Sequence, residues 1–168
     1  MNTYKHSNLH KVKIIFFDID GVLTDGMVHV DESGHEYKSY RLTEIDAIND
    51  IINAGYRTVA VTGEDTPIVD VFERRVAWSD FVRGCKDKLS EVKRISYKYN
   101  CNPQEICYIG DGKYDISPIE YAGVGVCPQN AIQCVKEVAD IVLNGYGGNN
   151  CIYELYEILK YYKCHEHI

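Results

Sequence analysis

Two kinds of segment alternate along this chain. Short, nearly unbroken apolar runs recur at Val12–Phe17 (VKIIFF), Tyr56–Val61 (YRTVAV), Glu105–Ile109 (EICYI) and Gly123–Cys127 (GVGVC). Their β-branched and aromatic content predicts strands covered on both faces, as in a parallel sheet. SDFVRG and ADIVL read as shorter strands of the same kind. Between them, apolar residues recur at helical spacing. One helix is expected over Glu44–Asn53, with Ile45, Ile48, Ile51 and Ile52 in phase, Thr43 as its cap and Gly55 at its end. A second starts at Thr66-Pro67, with proline at the first helical position. Further helices are expected over Asp87–Tyr99, with Leu89, Val92 and Ile95 inward, over Tyr114–Tyr121, from about Asn130, and over Cys151–Tyr162. In the last, Tyr153, Tyr156 and Leu159 read as a packing face.

Strand–helix alternation of this kind predicts an α/β fold, a doubly wound parallel sheet, in one domain spanning residues 1–168. One element breaks the alternation. After the first strand, Val28–Val30 and Glu36–Leu42 flank Asp31-Glu32-Ser33-Gly34, which reads as a β-hairpin.

Composition narrows the classes. The formal net charge of −7 argues against a protein that neutralises nucleic-acid phosphates. There is no run of 18 apolar residues, and MNTYKHSNLHKVK lacks the apolar core of a leader peptide. Seven cysteines, an odd number with no Cys-x-x-Cys pair, fit reduced thiols in the cytoplasm better than disulfides or zinc. Cys164-His165 with His167 reads as a polar tail and not as a metal site, and Arg74-Arg75 as solvated.

The candidate chemistry lies where the strands end, which is where open α/β sheets bind ligands. Asp18 and Asp20 follow the first strand, Thr62-Gly63 the second, Lys88 comes after SDFVRG, and Asp111 with Asp115 follows EICYI. Taken singly, each is an ordinary turn, cap or surface residue. Together they would crowd several carboxylates at one rim. Their repulsion calls for a hard divalent cation, and an all-oxygen donor set selects Mg²⁺ over zinc.

DIDGVLTDG (Asp18–Gly26) resembles the first motif of the haloacid dehalogenase superfamily of phosphohydrolases. The remaining motifs follow in order as Thr62, Lys88 and Gly110-Asp111…Asp115, over about Lys11 to Leu159. The hairpin standing where others carry a cap domain resembles the capless C0 subgroup, in particular the 3-deoxy-D-manno-octulosonate 8-phosphate and nonulosonate 9-phosphate phosphatase families. Gly34–Lys38 and Ala122–Ala131 match their patterns too. The resemblance implies an Mg²⁺-dependent phosphomonoesterase on a phosphorylated sugar acid. It implies Asp18 as nucleophile and Asp20 as acid and base. Thr62, Gly63 and Lys88 would hold the phosphoryl group, and Asp18, the Asp20 carbonyl, Asp111 and Asp115 would surround the metal. It also implies a cytoplasmic homotetramer built through the hairpins. Three stretches depart from the family pattern: Thr43-Glu44-Ile45 in place of Arg-Asp-Gly, Glu64 in place of arginine, and Tyr153 in place of the arginine of a Gly-Gly-x-Gly-x-x-Arg-Glu stretch. All three fall where a substrate would be read. A non-catalytic oligomerisation or sugar-binding module of a nucleotide-sugar pathway, or a phosphotransferase, are the other readings. The intact catalytic set argues against the former, and the missing cap against the latter.

Overall fold

The computed structural model describes residues 8–164. The start of the N-terminal segment read for a leader, and His165 and His167 of the tail, lie outside the described residues. The strands are β1 (Ile14–Phe17), β2 (His29–Val30), β3 (Glu36–Tyr37), β4 (Arg57–Val61), β5 (Asp80–Val82), β6 (Ile106–Ile109), β7 (Val124–Cys127) and β8 (Ile141–Val142). The helices are α1 (Leu42–Asn53), α2 (Val69–Arg75), α3 (Lys88–Lys98), α4 (Ile116–Tyr121), α5 (Gln133–Val138) and α6 (Cys151–Cys164). Six strands form one parallel sheet in the order β5-β4-β1-β6-β7-β8, and β2 and β3 form the separate antiparallel hairpin.

The two-residue period of β1 explains why its run is apolar throughout. Ile15 and Phe17 join a core with Ile45, Ile48 and Ile51 of α1 and Leu155 and Leu159 of α6. Ile14 and Phe16 face the opposite layer, with Val92 and Ile95 of α3, Ile119 of α4 and Val135 of α5. A strand covered on both faces has no solvent side on which to place a polar residue.

The elements differ from the sequence expectations mainly at their ends. Helix α1 begins at Leu42 behind an extended Arg41, and Thr43 lies within its first turn and does not cap it. The chain leaves an isolated bridge between Thr24 and Tyr40 already extended, so it turns into the helix earlier. Pro67 opens a tight turn, with Val69 N–H bonded to Thr66 and Asp70 N–H to Pro67, before α2 starts at Val69. Asn130 is outside α5, because its side chain is engaged elsewhere. The buried face of α6 is Cys151, Ile152, Leu155 and Leu159, with Tyr156 partly buried against the same core, so of the expected Tyr153–Tyr156–Leu159 face only Tyr153 is corrected. Tyr153 is 48% exposed.

Glu44 ties the two helices of one layer together. It is fully buried, and its Oε2 accepts from the Ile152 amide at 2.9 Å and the Tyr153 amide at 3.3 Å, at the start of α6. Burial raises its pKa despite those donors. Glu44→Ala is expected to cost about 1–3 kcal/mol, the loss of a cap plus orphaned buried amides. A urea melt checks this; an unchanged midpoint would show the contact to be idle.

Candidate active site

Strand β1 lies at the point where the sheet order reverses. Its chain goes through the hairpin and α1 to β4 on one side, while β6 lies on the other. Crevices of open sheets form at such points. Phe17 is level with Ala60 and with Ile109, so Asp18, Thr62 and Asp111 leave three adjacent strands at nearly one height.

Beyond Asp18 the backbone makes a wide turn over Ile19–Leu23, closed by the Thr24 amide on the Ile19 carbonyl at 3.1 Å. Gly21 sits in it at φ +85°, where side chains are strained, and a Cβ there would lie 2.0 Å from Asp111 Oδ2. Asn130 clamps this turn. Its Nδ2 donates to the Gly21 carbonyl at 3.1 Å, and its Oδ1 accepts from the Gly147 amide at 2.6 Å. The Gly148 amide donates to the Val22 carbonyl at 2.8 Å.

The charges divide into two groups. In the first, Lys88 Nζ lies 2.8 Å from Asp18 Oδ2 and 2.8 Å from Asp115 Oδ1. Asp18 Oδ1 accepts from the Ile19 amide at 2.8 Å. Asp115 uses both oxygens: Oδ1 also accepts from the Tyr108 hydroxyl at 2.7 Å, and Oδ2 from the Asp111 and Gly112 amides at 3.1 and 3.0 Å. Asp111 completes the group, and one carboxylate oxygen from each of Asp18, Asp111 and Asp115 lies within 4.8 Å of the others. In the second, Asp20 turns its carboxylate away to Lys38 Nζ, at 2.8 and 2.9 Å, and to the Thr24 hydroxyl at 3.3 Å. Thr62 is buried at the end of β4, its Oγ1 accepting from the Glu64 amide at 3.1 Å and its carbonyl from the Cys85 amide at 3.0 Å. Gly63 follows it, exposed.

Electrostatics give this rim its character. Burial, then the charges of Asp115 and Asp111, push Asp18 well above the usual carboxylate range. Burial and Asp115 push Asp111 up to about 6. Burial works against the charge of Lys88, but Asp18 and Asp115 outweigh it and hold its pKa above the ordinary lysine value. Tyr108 is held neutral, first by burial and then by Asp115 and Asp18. One ammonium therefore faces three clustered carboxylates. Excess negative charge on an all-oxygen cluster, roofed by a glycine that leaves Asp111 room, fits a hard divalent cation.

Sequence reasoning missed three residues here. Lys38 stands in the sequence only as the last residue of a hairpin pattern, with nothing to tie it to Asp20. Tyr108 looks like any core aromatic of a strand, and Asn130 like a helix start. Nothing in the sequence shows that Asn130 reaches the Asp18 turn.

A parallel sheet that gathers three carboxylates around a buried lysine at its switch point defines an α/β protein with an acidic centre suited to a divalent cation. The chain belongs to the haloacid dehalogenase-like hydrolases, whose family model matches residues 67–150. Within that family it is a phosphatase. Its relatives include the 3-deoxy-D-manno-octulosonate 8-phosphate phosphatase of Haemophilus influenzae, 27% identical over 154 residues, which cover 90% of this chain and 84% of the relative. A putative haloacid dehalogenase superfamily hydrolase of Legionella pneumophila superposes with a TM-score of 0.91 at 28% identity, covering 96% of this chain and 88% of the other. The 3-deoxy-D-manno-octulosonate 8-phosphate phosphatase of Moraxella catarrhalis, crystallised with magnesium, phosphate and KDO, has the same fold, with a TM-score of 0.91 at 22% identity over 98% of this chain and 94% of that one.

Proposed function

We propose that this chain is a magnesium-dependent phosphomonoesterase acting on a phosphorylated sugar acid, of the 3-deoxy-octulosonate 8-phosphate or nonulosonate 9-phosphate type. The observation that carries the reading is the buried Asp18–Lys88–Asp115 chain with Asp111 beside it. An Asp18 oxygen attacks phosphorus as the ester P–O bond breaks, giving an aspartyl-phosphate. Asp20 donates a proton to the departing alcohol. It then takes one from the water whose oxygen attacks phosphorus, freeing Asp18 and inorganic phosphate. Thr62, the Gly63 amide and Lys88 hold the phosphoryl oxygens as their charge redistributes. Asp18, the Asp20 carbonyl, Asp111 and Asp115 would hold the magnesium. The ion supplies charge neutralisation at the phosphoryl oxygens.

The names of the relatives support the sugar-acid substrate, and the altered Glu64 and Tyr153 positions keep the particular sugar open, whereas Glu44 and Ile45 of the third altered stretch are buried in the fold and do not read a substrate. A screen of phosphorylated sugars and sugar acids with Mg²⁺ and with EDTA tests the reading. Release of phosphate from sugar-acid phosphates, abolished by EDTA, is expected. No hydrolysis of any member with Mg²⁺ would favour the non-catalytic module.

We propose further that residues 1–168 act as one domain, in the cytoplasm, as a homotetramer paired through the hairpins. Free cysteines fit a reducing compartment. Among the described residues, no helix is long and apolar enough to cross a membrane. The hairpin and its flanks leave Met27, Val28, Val30, Tyr37 and Leu42 exposed, more apolar surface than a two-stranded ribbon hides by itself. Sedimentation at micromolar concentration is expected to give four times the chain mass of 19.2 kDa. A fully active monomer would contradict the assembly.

A further inference from the structure

The two acids of the first motif have different lysines. Asp18 is held by Lys88, from the far side of the sheet rim, and Asp20 by Lys38, from the hairpin. The Lys38 side chain is only 4% exposed, although it follows a β3 whose own residues are open to solvent. Its ammonium spans both Asp20 oxygens, at 2.8 and 2.9 Å. The frame behind it is firm. Two residues on, Tyr40 bridges Thr24 of the motif-one turn and packs edge-on against Phe72 at 5.5 Å. The Thr24 hydroxyl accepts from the Gly21 and Gly26 amides, at 3.4 and 3.2 Å, while donating to Asp20. The Asp20 carboxyl is therefore fixed from outside the metal-binding cluster, by one ammonium and one hydroxyl.

We propose that Lys38 is a positioning residue for Asp20. It keeps the carboxyl directed to one place, so that its proton is presented to the leaving oxygen in one geometry. This rests on the reading of Asp20 as the proton donor. It assigns the hairpin a part in the chemistry of its own chain, separate from any role in assembly.

A donor matters in proportion to the basicity of the leaving group. 4-Nitrophenolate leaves with little help, whereas phenolate, of nearly the same shape, needs more. The test is kcat/KM for 4-nitrophenyl phosphate and phenyl phosphate with Mg²⁺, on wild type, Lys38→Met, Lys38→Gln, Lys38→Arg and Asp20→Asn. Because kcat/KM reports steps up to phosphoryl transfer, it isolates the donor step. Lys38→Met and Lys38→Gln are expected to lose roughly 10-fold or more on phenyl phosphate and less than about 3-fold on 4-nitrophenyl phosphate, part of the ~10²–10⁴-fold that general acid catalysis supplies. Lys38→Arg should recover most of the loss. Equal losses on both esters, or none on either, while Asp20→Asn remains selective for phenyl phosphate, would overturn the proposal and leave Asp20 as donor. If Asp20→Asn itself loses equally on both, the donor reading falls and the proposal with it. Melting curves of each variant confirm that folded protein is compared.

Discussion

Asp18→Asn is expected to abolish turnover, by a factor of at least roughly 10⁴, as removal of a covalent nucleophile does in other hydrolases. The change is nearly isosteric, and the amide can still accept from the Ile19 amide. The fold should not suffer. Asp18 is buried with its pKa raised by that burial and by Asp115 and Asp111, so its charge is a burden on the metal-free protein. Lys88 keeps Asp115 as a partner when Asp18 is neutralised. The metal-free variant should therefore melt at or above the wild-type temperature while turning over no substrate. Steady-state assays beside melting curves check both halves. Activity above a few per cent of wild type would remove Asp18 as nucleophile.

Lys88→Met should damage both stability and activity. It leaves Asp18, Asp111 and Asp115 clustered with no ammonium among them. Breaking a buried ion pair on one side costs about 3–5 kcal/mol, because the remaining charges stay uncompensated. For a chain of this size that lowers the melting temperature by roughly 10 °C. The loss of a donor to the phosphoryl group should cost a further ~10²–10³ in kcat. Added Mg²⁺ should raise the melting temperature of Lys88→Met more than that of wild type, since the ion relieves the same excess charge. An unchanged melting temperature in the metal-free variant would show that the lysine does not balance the cluster.

The sheet was legible because its central strands are covered on both faces. Ile14 to Phe17 must all be apolar, and the run states it. Asp18, Lys88, Asp111 and Asp115 were legible because each follows a strand and their charges need one another. Lys38 was harder. Its neighbours Tyr37 and Ser39 are exposed, and only the fold of the hairpin carries the side chain to Asp20. Asn130 reaches Gly21 across 109 residues of sequence, a contact that no local pattern encodes. The start of α1 moved from the expected Thr43 cap to Leu42, and that of α2 from Pro67 to Val69, because the Tyr40 bridge and the tight turn at Thr66 set the entry of the chain, overriding cap preference. Spacing alone puts Tyr153 inward, whereas the phase of α6 is set by Ile152, Leu155 and Leu159 in the core.

The account rests on Asp18 as the residue that takes the phosphoryl group. Its most direct test is a crystal structure of the protein grown with Mg²⁺ and beryllium fluoride, which mimics a phosphoryl group bound to a carboxylate. The account predicts trifluoroberyllate bonded to an Asp18 oxygen, contacted by Thr62, the Gly63 amide and Lys88, with the metal between it and Asp111. Trifluoroberyllate on another carboxylate, or a metal-loaded site with Asp18 turned away from it, would contradict the account.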